Sequence, residues 1–271
     1  MVIRDSSAPM SWRRSLSVAG LRTRSLPAAL AMLLLIAAVL LASRVRADVP
    51  TGAVPSTSRQ VIRVLGRGWD DVHATAQRFE RTGDGWRPVG SAVPAVLGSR
   101  GLAWGRGAGV THGQGGPRKR EGDMRSPAGV FHLTGAFGFA PSGALPLRIP
   151  YLQITEPCEC VDDAASTHYN TVVDRTRVRR DWQSAEVMRR VGLYRWGAFV
   201  GHNIDPVQPG AGSCIFMHIW SGPDAGTAGC TALEEAHLVE MLKWLREEDQ
   251  PMLVQMPAAV HARMRGAWRL P

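Results

Sequence analysis

Two side chains of this 271-residue chain are suited to covalent chemistry, Cys230 and His218. A cysteine thiol attacks a carbonyl carbon when a neighbouring base removes its proton and later returns a proton to the leaving amine. His218 lies near the end of 213–220, a run of β-branched and aromatic residues that predicts a buried strand. A loop rich in small and turn-forming residues, 221–229, leads back to Cys230. The pair therefore predicts acyl transfer with Cys230 as the nucleophile and His218 as the base.

The residues that follow Cys230 predict an α-helix. Thr231 and Glu234 have the spacing of a capping box, which places the start of the helix at Thr231. Cys230 would then lie one residue before the helix, where the macrodipole and free N–H groups lower the pKa of a thiol. The N–H groups of Gly229 and Cys230 are candidates for an oxyanion hole. Apolar residues recur at helical spacing at Leu233, Leu238, Met241, Leu242 and Leu245.

Other interpretations of these residues stay open at the level of sequence. Cys230 and His218 are also compatible with a buried structural cysteine and a core histidine. His202 is a second candidate base, because it lies near the end of the predicted strand 194–203. His202 and Asn203 could instead bind substrate beside the site, or His202 could have only a surface role.

The run from Gly212 to Glu234, which contains GSCIFMHIW and TAGCTALE, resembles the L,D-transpeptidase (YkuD-type) catalytic domain. The resemblance implies that Cys230 is the nucleophile, that His218 is its base, and that Thr227 and Gly229 form the turn before the nucleophile. It implies a mainly β domain with a few helices (α+β), one of which follows the nucleophile turn. It also implies acyl transfer on peptidoglycan stem peptides. The common pattern of that family has an arginine two residues after the cysteine, where this chain has Ala232.

A basic triplet, Arg118, Lys119 and Arg120, precedes a segment that resembles another part of the same family, Gly122 to Phe131. Stem peptides carry free carboxylates, and a carboxylate that enters a partly desolvated cleft needs a cationic or multiple N–H partner. Since Ala232 cannot supply that charge, we expect the triplet to bind substrate. The alternative is a solvated surface loop.

The first 47 residues predict a targeting segment. Basic residues precede an apolar run over 26–42, and a small-residue cleavage site follows before Asp48. An uncleaved membrane anchor is the alternative. This segment contributes +6 of the formal net charge of +9, which leaves only +3 for the remainder. The basic composition therefore gives little support to nucleic-acid binding.

The remaining chain predicts a linker over 48–58, a catalytic domain over 59–257 and a peripheral tail over 258–271. Strand patterns outnumber helical ones, and Asp84-Gly85 predicts a hairpin turn. A short helix is predicted over 184–191. Strands are predicted over 60–65, 72–78, 86–89, 128–134, 194–203, 213–220 and 251–256.

The cysteines suggest a disulfide more strongly than a metal site. Cys158 and Cys160, with His168 nearby, have a spacing compatible with zinc, but the chain lacks a second pair of ligands. In an exported protein, a bond between Cys214 and either Cys158 or Cys160 is favoured. We therefore expect no metal and no other cofactor.

The sequence as a whole predicts an exported cysteine acyltransferase of the periplasm or cell envelope. Its expected partners are peptidoglycan stem peptides, with no nucleic acid, and with membrane contact only through the N-terminal segment if that segment is retained. One alternative is a cell-wall L,D-carboxypeptidase or amidase, in which water accepts the acyl group. Another is a wall-binding module that has lost catalysis.

Overall fold

A computed structural model describes residues 53–83, 85–108 and 115–271. The predicted targeting segment 1–47, the first part of the predicted linker and Asp84 of the predicted hairpin lie outside the described residues. These described residues belong to one compact unit.

The described residues form thirteen strands and two α-helices, which confirms the prediction of a mainly β domain with few helices. The helices are α1 (Glu235–Trp244) and α2 (Ala258–Met264). The strands are β1 (Gln60–Gly66), β2 (His73–Thr82), β3 (Gly85–Val96), β4 (Leu102–Trp104), β5 (Ser126–Gly138), β6 (Tyr151–Gln153), β7 (Cys158–Val161), β8 (Val172–Asp174), β9 (Ala185–Val187), β10 (Trp196–Val200), β11 (Phe216–Ile219), β12 (Thr231–Leu233) and β13 (Met252–Pro257).

The main sheet closes on itself. Its strand order is β10-β11-β12-β3-β2-β1-β13-β5-β4, and β10 also pairs with β5. Strand β5 makes this closure possible because it is 13 residues long and pairs with β13 over its first half and with β10 over its second. The principal hydrophobic core contains side chains from these strands and from α1, among them Phe131, Leu238 and Leu253.

Strands β11 and β12 are neighbours and run parallel, with His218 opposite Ala232. Parallel strands cannot be joined by a tight turn and need a longer crossover. Residues 220–230 supply that connection, and they return the chain to the same end of the sheet from which β11 starts. Cys230 therefore enters β12 beside the start of β11.

The predicted capping box is wrong. Thr231 begins β12 and is fully buried, and its hydroxyl group donates a hydrogen bond of 2.6 Å to the Gln255 side chain. Helix α1 begins four residues later, at Glu235, and Glu234 makes no side-chain cap. Because Thr231, Ala232 and Leu233 are all buried between neighbouring strands, packing decides this segment over local helical propensity.

Two further predictions need correction. The segment 184–191, predicted as a helix, forms β9 and a single 3₁₀ turn over Met188–Arg190. The C-terminal segment 258–271, predicted to be a peripheral tail, contains α2 and packs against the domain. The Trp268 side chain of this segment is buried in the core. Val54, in the predicted linker, is buried as well and donates a backbone hydrogen bond to Trp268. The domain thus includes residues at both ends that the sequence assigned to flanking segments.

A second, three-stranded sheet has the order β8-β7-β9. A disulfide between Cys160 in β7 and Cys214, two residues before β11, ties this sheet to the main one. The pairing confirms the prediction that Cys214 bonds to one of the two nearby cysteines. Cys158 and Cys230 are free and buried.

Among the described helices, none combines the length and the apolar character needed to span a membrane.

The disulfide generates a prediction about stability. It joins residues 54 positions apart, so it removes considerable freedom from the unfolded chain. We expect the double variant Cys160→Ser/Cys214→Ser to lose about 2–4 kcal/mol of unfolding free energy in urea titrations. Cys158→Ser, which leaves the bond intact, is the control and should lose less. Equal stability of the double variant and the wild type would contradict the prediction.

Candidate active site

Cys230 lines a cavity of about 220 Å³ between the main sheet and the three-stranded sheet. The wall contains one lysine, three carboxylates and two hydroxyl groups besides the thiol. These polar residues are Lys119, Glu121, Asp162, Glu186, Tyr194 and Ser213.

The position of Cys230 is fixed by its backbone and by its sulfur. The carbonyl oxygen of Cys230 accepts hydrogen bonds of 2.6 Å from the hydroxyl groups of Ser126 and Thr227. Its Sγ accepts one from the Phe216 N–H at 3.3 Å and lies 3.6 Å from the Cys214 carbonyl oxygen, to which the thiol donates. The thiol is thus held at the cavity wall in its protonated form.

The expected lowering of the thiol pKa is wrong. Burial raises the pKa of Cys230 to about 12, and the negative charge of Glu186 adds to that effect. The physical reason is the fold of the next three residues. Because they form β12 and not a helix, no helix N-terminus lies beside the sulfur to stabilise a thiolate.

Gly229 and Thr227 form the turn before Cys230. The N–H of Gly229 donates to the Thr227 hydroxyl oxygen at 3.1 Å, so one of the two proposed oxyanion-hole donors is already used within the turn. Of the two proposed donors, the Cys230 N–H is the one that remains for an oxyanion hole. Gly229 has a φ of +148° and its missing Cβ would lie 3.2 Å from the Arg125 carbonyl oxygen, which explains why glycine suits this position.

His218 is buried in β11 with its tautomer defined. Its Nδ1–H donates to the Ile219 carbonyl oxygen at 2.7 Å, which leaves the lone pair on Nε2. Burial lowers the pKa of His218. Within the described part of the chain, no hydrogen bond joins this ring to the Cys230 thiol. The ring instead packs edge-on against Tyr194, with centroids 5.1 Å apart.

Tyr194 and Glu186 are among the residues of the cavity wall that the sequence did not predict. Burial raises the pKa of Tyr194 well above its usual value, and the negative charges of Cys230 and Glu186 add to that effect. Burial also raises the pKa of Glu186, whose Oε1 is buried and accepts no hydrogen bond from the described residues. No local sequence pattern around Cys230 marks these residues, because both lie far from it along the chain. Glu186 lies in β9 of the three-stranded sheet.

The sequence makes His202 a candidate base and makes both His202 and Asn203 candidates for substrate binding. In the structure, both side chains instead bind the loop 208–212. His202 is only 1% exposed, accepts the Arg106 N–H at Nδ1 (3.2 Å) and donates from Nε2 to the Ala211 carbonyl oxygen (3.0 Å). The Asn203 side chain bonds to Gln208 and to the Gly212 carbonyl oxygen. Neither lines the cavity beside Cys230, so we assign both a structural role.

The basic triplet is divided between the cavity and the surface. Lys119 is buried and lines the cavity, and its Nζ bonds to the Asp123 carboxylate and to the Arg120 carbonyl oxygen. Arg118 and Arg120 are exposed and do not line it. Of the three basic residues expected to bind the substrate carboxylate, Lys119 is therefore the one that lines the cavity.

Ala232, which stands where the resemblance predicts an arginine, is fully buried in β12. An arginine in this position would have to place its guanidinium group in the core, at a large desolvation cost.

The alternative of a zinc site at Cys158 and Cys160 loses one of its ligands, because Cys160 is bonded to Cys214.

No family model matches this chain, and comparisons with curated proteins and with solved structures give no significant match.

The burial of His202 predicts a pH dependence of stability. Burial lowers the pKa of His202 from 6.5 to about 3. Below pH 6.5 the unfolded chain therefore binds a proton that the folded chain does not, and stability falls as the pH drops towards 3. At pH 4 this one residue should cost about 3 kcal/mol.

His202→Gln keeps a donor and an acceptor but cannot be protonated, so it should reduce the difference in unfolding free energy between pH 7 and pH 4. Denaturant titrations at both pH values measure it. The exposed His73, replaced in His73→Gln, is the control. An unchanged pH dependence in His202→Gln would refute the argument.

Proposed function

We propose that this domain is a cysteine acyl-transfer enzyme of the L,D-transpeptidase type that acts on peptidoglycan stem peptides outside the cytoplasmic membrane. The observation that carries the proposal is the Cys230 thiol, held by hydrogen bonds at the wall of a polar cavity. The resemblance of residues 212–234 to the L,D-transpeptidase catalytic domain supplies the substrate. Export rests on the sequence of residues 1–47.

The proposed reaction has two acyl-transfer steps. The sulfur of Cys230 bonds to the carbonyl carbon of an L,D peptide bond, the C–N bond breaks, and the terminal D-residue leaves as an amine that takes up the thiol's proton. The acyl group then passes from sulfur to the amine of a second stem peptide, and the thiol regains a proton. The N–H of Cys230 is the backbone group available to stabilise the oxyanion in both steps.

The charge of the cavity favours an amine over water as acceptor. Three carboxylates and one lysine line the wall, and the lysine is already paired with Asp123. A wall with excess negative charge attracts the ammonium group of a second stem peptide. This favours the transpeptidase over the carboxypeptidase or amidase alternative, in which water needs no such attraction.

The proposal predicts a covalent intermediate on one named thiol. Incubation with stem peptides should add the mass of the acyl group to Cys230, detected by intact-protein mass spectrometry. Cys230→Ala should abolish turnover and Cys230→Ser should leave only traces, because a hydroxyl group is a much poorer nucleophile at neutral pH. Cys158→Ser removes the other free thiol and should retain activity. Turnover near the wild-type rate in Cys230→Ala would refute the mechanism.

The same experiment separates the enzyme from a wall-binding module that has lost catalysis. Fast thiol labelling alone cannot do so, because burial keeps Cys230 protonated in either case. A binding module would retain stem-peptide affinity without ever forming the acyl-enzyme.

A second prediction concerns the cationic partner of the substrate carboxylate. Lys119→Gln should raise KM on the order of tenfold and lower kcat much less, as when ground-state and transition-state binding fall equally. Arg118→Gln and Arg120→Gln should leave KM unchanged, since neither side chain lines the cavity. Asp123→Asn is a control that breaks the ion pair but keeps the lysine charge. An unchanged KM in Lys119→Gln would remove this lysine from substrate binding.

A further inference from the structure

Glu121 lines the same cavity as Cys230, and its carboxylate is fixed at one of its two oxygens. Its Oε2 accepts hydrogen bonds from the hydroxyl groups of Tyr169 and Ser213, the second at 2.8 Å. Both donors are buried, with 3% and 7% of their surface exposed. Glu121 itself is exposed, and its Oε1 accepts no hydrogen bond from the described residues. One oxygen of an oriented carboxylate is therefore available to a molecule that enters the cavity.

The same contacts hold this carboxylate beside the segment that contacts the thiol. Ser213 precedes Cys214, whose carbonyl oxygen lies 3.6 Å from the Cys230 sulfur. The backbone adds to this link, since the N–H of Glu121 donates to the Gly210 carbonyl oxygen at 2.9 Å. Side-chain and backbone hydrogen bonds thus join Glu121 to the segment 210–214.

The charge of Glu121 has no partner of opposite sign among the described residues. The lysine of the cavity wall, Lys119, is paired with Asp123. The other two carboxylates of the wall belong to the three-stranded sheet, since Asp162 follows β7 and Glu186 lies in β9. Glu121 is the carboxylate that combines an exposed, unpaired charge with a hydrogen bond to the residue before Cys214.

We propose that Glu121 selects amine acceptors, because its carboxylate binds the ammonium group of the second stem peptide beside the acyl group on Cys230. The inference rests on the proposed acyl transfer and names the residue that recognises the second substrate. An ammonium group and a carboxylate form a charge-assisted hydrogen bond, which is stronger than one between neutral groups. A neutral acceptor such as water gains no such attraction.

The transfer that follows binding is balanced in protons and bonds. The bound ammonium group gives one proton to the solvent, and the resulting amine attacks the carbonyl carbon of the thioester. The C–N bond forms and the C–S bond breaks. The nitrogen carries positive charge as its new bond forms, and it then gives a proton to the sulfur of Cys230. A carboxylate beside the nitrogen therefore stabilises positive charge both on arrival and during the attack.

A structural role is the competing interpretation, in which Glu121 only joins Tyr169 to Ser213. Glu121→Gln separates the two roles. The amide oxygen of glutamine still accepts hydrogen bonds from both hydroxyl groups, whereas the negative charge is lost.

The first measurement is binding by isothermal titration calorimetry in a Cys230→Ala background, which cannot form the acyl-enzyme. The ligands are a stem peptide with a free amine and the same peptide with that amine acetylated. The free-amine peptide should bind on the order of tenfold more tightly. Glu121→Gln should remove most of this preference by weakening the binding of the free-amine peptide. Asp162→Asn is the matched control: it removes another carboxylate of the same wall and should keep most of the preference.

The second measurement is the fate of the acyl-enzyme in proteins that retain Cys230. Mass spectrometry of the products compares transfer to the stem-peptide amine with transfer to water and to hydroxylamine, a nucleophile that is uncharged at neutral pH. Glu121→Gln should lower the ratio of transfer to the stem-peptide amine over transfer to the two neutral acceptors about tenfold, mainly through a higher KM for the amine.

Ser213→Ala keeps the test decisive if Glu121→Gln does not fold. It removes one of the two donors that orient Oε2, so it should reduce the preference for the free amine while the charge stays in place. Equal binding of the two peptides by the Cys230→Ala protein would overturn the proposal. An undiminished preference in Glu121→Gln, or in Ser213→Ala where only that variant folds, would overturn it as well.

This inference and the proposed function fail separately. If the preference for the free amine depends on Glu121 but stem peptides never acylate Cys230, the recognition stands and the acyl transfer is wrong. If the acyl-enzyme forms and its partition between acceptors does not depend on Glu121, the acyl transfer stands and the recognition is wrong. Absence of binding by either peptide, together with absence of the acyl-enzyme, would overturn both.

Discussion

The parallel pairing of β11 with β12 is the constraint on which the site depends. It places Cys230 at the entry to β12, where the N–H of Phe216 in β11 donates to its sulfur. It also takes residues 231–233 into the sheet and away from the helix, so the thiol is buried without a helix N-terminus beside it. A thiol in that environment is protonated at rest, and it becomes a nucleophile only when a base accepts its proton.

Part of the cavity wall comes from a segment of the chain that has no local relation to Cys230. Cys160 of the small sheet of β7, β8 and β9 belongs, together with Phe216 and Cys230, to a second hydrophobic cluster. Tyr194 belongs to the same cluster, and its ring packs edge-on against His218. The polar site is thus built on top of an apolar cluster that fixes its members. Removal of the Phe137 or Phe216 ring would disturb the geometry without changing any titratable group.

The sequence was informative where a signal is local. Alternating and β-branched runs predicted strands that the structure places at nearly the same positions, such as β1, β5 and β13. Cysteine chemistry limited the partner of Cys214 to two residues, one of which is the observed partner. The capping-box pattern at Thr231 was misleading because its residue types suit a helix start as well as a short buried strand. Only the contacts with β11 and β3 decide between these structures, and no window around Thr231 contains them.

The thiol environment also explains how a nucleophilic cysteine can lie next to a disulfide. A thiolate attacks disulfide sulfur, so a cysteine with a lowered pKa beside the Cys160–Cys214 bond would exchange with it. Burial holds the Cys230 sulfur in its protonated form, which is a poor attacking group. The high pKa that seems unfavourable for a nucleophile is therefore what makes the disulfide and the thiol compatible in one cavity.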